Sequence, residues 1–192
     1  MTMHRFIVIS GLDGSGKDTI AAKLAELDPN SELVSTPTFP FTECRKHLDD
    51  IVLETPTAHY FFYLAAIVHA SIQIEKILIK KNVYCVRWLV DTIANHRTIG
   101  VDCELEYKTK LYDIKEPDLS LFLSCEDRVR QERIKARDHS TIADEITFRE
   151  GVCALLQKEY AKLRDHFISI DNSDKSVEQT VVKIRKVLET IN

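Results

Sequence analysis

Short apolar runs alternate with longer segments in which apolar residues recur every three or four positions, and this alternation spans the chain. The runs at Arg5 to Ser10, Glu32 to Ser35, Val83 to Val86, Leu119 to Ser124 and Phe167 to Ile170 predict five strands. Helical spacing predicts helices over Lys17 to Leu27, Glu43 to Leu53, Pro56 to Lys80, Asp127 to Arg137, Asp144 to Arg164 and Ser176 to Thr190. Strands separated by helices are joined by crossovers, so the expected class is α/β, with a mainly parallel five-stranded sheet flanked by helices. With 192 residues and no linker or repeat, one domain covering 1–192 is expected. The longest apolar stretch, Tyr60 to Ile74, is interrupted by His69, Ser71 and Gln73 and falls short of the roughly 18 residues of a membrane span. It predicts a buried helix, with no membrane partner, whose second face is free to meet another subunit.

Directly after the first apolar run comes Gly11-Leu12-Asp13-Gly14-Ser15-Gly16-Lys17-Asp18-Thr19. Glycines let a loop wrap closely enough for backbone N–H groups to face an anion, and a helix opening at Lys17 adds the positive end of its dipole. Lys17 supplies a cation for the outer phosphates. The pattern G-x-x-x-x-G-K-[ST] is met at every position but the last, where Asp18 replaces the hydroxyl residue that touches magnesium. A plain glycine turn is the simpler alternative, but strand, loop, lysine and helix in this order are the context a phosphate cradle requires.

Charge and cysteine usage narrow the setting. With 26 basic and 30 acidic residues the chain carries a formal charge of -4 and offers no overall basic face to a nucleic acid. Cys44, Cys85, Cys103, Cys125 and Cys153 are scattered singly, which predicts neither a disulfide framework nor a zinc site and suits a reducing cytoplasm. The N-terminus enters the first strand at once, so no signal peptide is expected. No histidine pair has zinc-ligand spacing. Segment 137–147 lacks apolar periodicity and reads as a flap over the site. Before it, Arg130, Arg133 and Arg137 share one helix face. They either clamp transferring charge or pair with Glu126, Asp127 and Glu132 on a solvated helix.

Several motifs in order resemble the thymidylate kinase group of nucleoside monophosphate kinases: the glycine loop, Phe39-Pro40, Phe62-Tyr63-Leu64-Ala65-Ala66, Cys85-Val86-Arg87-Trp88, Pro117-Asp118-Leu119, Glu132 to Arg137, and Phe167 to Asp171 with Ser176 to Gln179. The resemblance implies a three-layer P-loop kinase fold, ATP and Mg2+ as cofactors, phosphoryl transfer to a nucleoside monophosphate such as dTMP, and a homodimer formed through the apolar helix. Gly11, Asp13, Gly14, Ser15, Gly16, Lys17, Asp18 and Thr19 would hold the ATP phosphates and the metal; Asp18 departs from the motif, and its carboxylate oxygen is the expected metal ligand. By the resemblance Asp13, Phe39, Phe62 and Arg87 would bind the acceptor, Asp13 at its sugar and Phe62 on its base; Arg45 is added as a stand-in for a family arginine that is absent here. Lys17, Arg87, Arg133 and Arg137 would be catalytic, the last two belonging to the flap.

Three departures stand against these matches. Val86 occupies the position of a usual Asp, Ile67 that of an Arg gripping the acceptor phosphate, and Phe41-Thr42 that of a further arginine. Arg45, His96 and Arg97 are candidate replacements. Asp18 either compensates for the carboxylate lost at Val86 or marks a decayed site. The alternatives are therefore a nucleotide-binding pseudokinase, or a kinase for a nucleoside or other unphosphorylated acceptor.

Overall fold

The computed structural model describes residues 4–136 and 151–190. The expected flap at 137–147, with Arg137 and the start of the helix expected over Asp144 to Arg164, lies outside the described residues. Five strands, β1 (Phe6–Ser10), β2 (Ser31–Ser35), β3 (Asn82–Val86), β4 (Leu119–Ser124) and β5 (Ile168–Asp171), form one all-parallel sheet in the order β2-β3-β1-β4-β5. Seven α-helices accompany them among the described residues: α1 (Lys17–Glu26), α2 (Phe41–Asp49), α3 (Pro56–Leu78), α4 (Leu89–Thr98), α5 (Asp127–Lys135), α6 (Val152–Lys162) and α7 (Val177–Glu189).

Strand β1 is central and buried along its whole length, which is why its sequence is continuously apolar rather than alternating. Its side chains still alternate in direction. Phe6 and Val8 join a core with Ile67, Trp88 and Ile93 under α3, α4 and α6. Ile7 and Ile9 join a second core with Ile20, Leu24 and Ile184 under α1 and α7. Two apolar layers around a parallel sheet give the three-layer architecture.

Helix α4 has no counterpart in the sequence reading, which left Val86 to Leu119 without an element. Its ten residues include the β-branched Val90, Thr92, Ile93 and Thr98, which are weak helix formers. Seven of the ten are buried, so packing rather than propensity holds it. Helix α2 starts two residues earlier than expected and ends at Asp49 rather than Leu53. Helix α3 has the length and mean hydropathy of a membrane span, contrary to the short stretch read from sequence. Leu64, Ile67, Ala70 and Ile74 nevertheless pack into the core, while Phe61 and Ile72 stay exposed.

Candidate active site

The loop from Gly11 to Gly16 joins the carboxyl end of β1 to the N-terminus of α1. Its bends use left-handed backbone at Gly14 and Gly16, with φ of 83° and 91°. A Cβ on Gly14 would lie 2.5 Å from the Arg130 carbonyl oxygen and 2.7 Å from Arg130 Cγ. Gly14→Ala combines that clash with the wrong φ and is expected to cost about 2–4 kcal/mol in urea unfolding. A loss below about 1 kcal/mol would show that the loop tolerates a side chain there.

Arginines brace the loop from outside. Arg130, 1 % exposed, donates Nη1 to the Asp13 carbonyl at 3.0 Å, while its Nε and Nη2 pair with Asp127 Oδ1. Arg133 donates to the carbonyls of Ser15 at 3.4 Å and Asn172 at 3.0 Å, and Asn172 Nδ2 donates to Ser15 O at 2.7 Å. Carbonyls are thus held outward, the arrangement that leaves loop N–H groups for an anion. Arg133 is engaged with loop carbonyls at the donor end, and Arg130 joins loop support to the acidic pairing foreseen for a solvated helix.

Inside the loop, Lys17 is buried with Nζ 3.0 Å from Asp13 Oδ1 and 3.8 Å from Asp18 Oδ2. Burial, and then the nearby Arg87 cation, pull its pKa below the ordinary lysine value, against the opposing pull of Asp13. Arg87 also pairs with Asp13 through Nη2. Its backbone is left-handed, φ 66°, the one such non-glycine among the described residues. That conformation costs about 1–2 kcal/mol, and it is held by Arg87 N–H donating to Ile9 O at 3.1 Å and Thr36 Oγ1 donating to Arg87 O at 3.1 Å. Burial acts to lower the Arg87 pKa, but Asp13 and then Asp91 keep it above the usual arginine value.

Next to Asp13 and Arg87 opens a cavity of about 140 Å³, whose walls also carry Arg45, Asp49, Tyr63 and His96. Arg45 Nε donates to Asp49 Oδ2 at 2.8 Å. Arg97 is turned elsewhere, onto Cys103 O at 2.8 Å and Glu104 at 2.7 Å. Phe62 and Phe39 do not line this cavity: Phe62 packs on Phe41 with centroids 5.5 Å apart, and Phe39 is 67 % exposed. Asp91, which the sequence reading did not single out, forms part of the wall and is buried. Its position three residues into α4 is the one signal that could have flagged it as a helix cap.

The residues present fit a nucleoside triphosphate and its metal. Ser15 Oγ is buried with no hydrogen-bond partner among the described residues, and a Cβ on Gly16 would meet Asn172 Nδ2 at 2.8 Å, so the cradle admits backbone only. The Asp18 side chain is 69 % exposed at the rim and Thr19 is exposed, leaving oxygen donors of the kind Mg2+ takes beside phosphates.

Comparison with known proteins agrees with this geometry. A family model described as thymidylate kinase matches residues 9–184. The chain belongs to the thymidylate kinase family. A probable thymidylate kinase of Methanocaldococcus jannaschii is 29 % identical over 200 residues, covering 100 % of this chain and 99 % of the relative. A Methanosarcina acetivorans relative, also described as a probable thymidylate kinase, is 28 % identical and covers 97 % of each chain. Among solved structures, the Candida albicans thymidylate kinase superposes with TM-score 0.75 at 19 % identity, covering 98 % of this chain and 92 % of its own. A deoxyadenosine kinase from M. mycoides with bound dATP superposes with TM-score 0.72 at 20 % identity, covering 97 % and 100 %. Both share the fold of this P-loop kinase family.

Positions 86 and 67, where the resemblance leads one to expect an Asp and an Arg, lie in the core. Val86 is buried in β3, paired with Ile9 and Ser35. Ile67 is 1 % exposed beneath the sheet. No cation reaches the cavity from position 67 and no carboxylate from position 86.

Proposed function

We propose that this thymidylate kinase family member transfers the γ-phosphoryl group of ATP to a nucleoside monophosphate, dTMP or a related nucleotide, bound in the cavity beside Asp13 and Arg87. The observation that carries this reading is one continuous row of charge: buried Lys17, Asp13 and Arg87 run from the phosphate loop to the cavity, where Arg45 adds a second guanidinium. Bound ATP supplies the phosphoryl group. The chain's own part is alignment and neutralisation, which is most of what phosphoryl transfer asks of a protein. Lys17 would neutralise the β- and γ-phosphates, Arg87 would lie between donor and acceptor, and Arg45 would take over the acceptor-phosphate role absent at Ile67. Asp18, with Thr19, would serve Mg2+. Arg133 would act at the donor end, where its contacts lie, rather than as a clamp on the reacting phosphoryl; Arg137 would remain the flap's catalytic cation. Phe62 and Phe39 would reach the acceptor's base only after rearrangement.

A homodimer through α3 is supported by the large apolar side chains Phe61 and Ile72, which that helix leaves exposed. A cytoplasmic setting is supported by five free thiols. A nucleoside kinase is the second reading, favoured by the apolar residues at 67 and 86. ADP release measured against a panel of nucleosides and monophosphates separates the two. Turnover with monophosphates, dTMP foremost, is expected; turnover confined to uncharged nucleosides would replace this proposal with the second, and binding of ATP with no turnover for any acceptor would make the chain a pseudokinase.

A further inference from the structure

One wall of the cavity is a chain of titratable groups drawn from three helices. His96 Nδ1 lies 2.6 Å from the Thr92 carbonyl, His96 Nε2 lies 2.8 Å from His59 Nδ1, and His59 Nε2 lies 3.1 Å from Asp49 Oδ1. Both rings are buried. Asp49 Oδ1 also accepts from Tyr63 Oη at 2.8 Å, and Asp49 Oδ2 accepts from Arg45 Nε at 2.8 Å.

Counting protons decides the charge of this wall. A carbonyl and a carboxylate only accept, so each of the three histidine contacts needs one hydrogen. Two neutral imidazoles hold two. The third proton is therefore on the histidine pair or on Asp49. Burial pushes the Asp49 carboxyl up, but its hydrogen bonds from His59, Arg45 and Tyr63 prevail and hold it below the usual aspartate value, so it stays ionised. Burial brings His96 down to about 4, against the Thr92 carbonyl, so the charge is not there. It resides on His59, facing Asp49.

We propose that His59 is a positioning residue for the acceptor: as the imidazolium it pins Asp49, and Asp49 holds the guanidinium of Arg45 at the cavity beside Arg87 and Asp13. The proposal rests on the reading of that cavity as the acceptor site. When His59 loses its proton, a nitrogen lone pair faces a carboxylate oxygen, Asp49 is pushed off, and Arg45 loses its fixed orientation. The groups facing the pair among the described residues are Arg45 and Asp49 from α2, Tyr60 and Tyr63 from α3, and Arg87, Asp13 and Asp91 around the cavity. Of the acids among them, Asp49 is the one that touches His59.

Two measurements on the full chain test this. In nitrogen-15 spectra of histidine-labelled protein at pH 6, His59 should carry protons on both ring nitrogens and His96 on Nδ1 alone, with signals assigned by loss in His59→Gln and His96→Asn. Two neutral rings would overturn the proposal. Calorimetry with dTMP as the probe, from pH 6 to 8.5, should show wild-type affinity falling about tenfold relative to His59→Gln, whose amide donates to Asp49 at every pH. The ionisation of dTMP itself is common to both proteins and cancels in the ratio. A ratio that does not change with pH would overturn the positioning role, even with His59 charged. Arg45→Ala separates this from the parent reading: an unchanged dTMP affinity in that variant, or no dTMP binding by the wild-type protein, removes the acceptor assignment and the positioning role with it. Weaker binding in Arg45→Ala beside a flat ratio removes only the proposal about His59.

Discussion

Lys17→Ala is expected to lower kcat/KM for phosphoryl transfer by about 10³-fold or more, the scale set by removing one preorganised charge from a phosphoryl or oxyanion site. Lys17 shares Asp13 with Arg87, and it is buried between Asp13 and Asp18. Its ammonium has given up most of its water on folding, so its field on a bound polyphosphate is little screened. Folding should suffer little, because Asp13 keeps Arg87 as a partner and an expensive buried charge is removed. Lys17→Arg is expected to restore little, since a planar five-donor fork does not fit a space enclosing one ammonium. The check is ADP production under saturating acceptor together with calorimetric ATP binding and urea unfolding. A loss under about tenfold with an intact fold would show that Lys17 is not the phosphate cation.

How much of this could be read from the chain depends on how local each signal is. The five strands and the glycine loop are contiguous, and the expected strand positions agree with those observed to within one or two residues; the central β1, β3 and β4 are buried and leave apolar runs, while the edge strands β2 and β5 bury one residue each and were legible from their short β-branched stretches. The place of Lys17 at the mouth of α1 follows from the same local logic. Helix α4 was illegible for the opposite reason: its residues are weak helix formers held by tertiary contacts. The cavity wall was hidden still more deeply. His59 and His96 are 37 residues apart and meet only because α3 and α4 pack together. Arg133 shows a subtler limit. Its helix face was readable, but whether that face looks onto phosphate or onto loop carbonyls depends on how α5 sits against the glycine loop and the turn after β5, and no spacing within the helix encodes that.

Asp91→Ala should be the most destabilising single change in the site, by about 3–5 kcal/mol. The buried carboxylate accepts from Ser10 Oγ at 2.6 Å, the Trp88 backbone N–H at 2.8 Å and Tyr160 Oη at 2.9 Å. It therefore ties the end of β1, the start of α4 and the interior of α6 to one point. Alanine strands three buried donors, each costing about 1–3 kcal/mol, though the two hydroxyls recover part by rotating. Asp91→Asn keeps one acceptor oxygen for Trp88 and should lose only about 1–2 kcal/mol. Tyr160→Phe removes one donor together with its partner bond and should fall in the same range. Asp91 is thus the peg on which the loop and cavity hang. Urea unfolding with unchanged m-values is the measurement. Equal losses for alanine and asparagine would show that the carboxylate's acceptor capacity is not what holds these elements, and a loss below about 1 kcal/mol for alanine would remove Asp91 from the framework of the site.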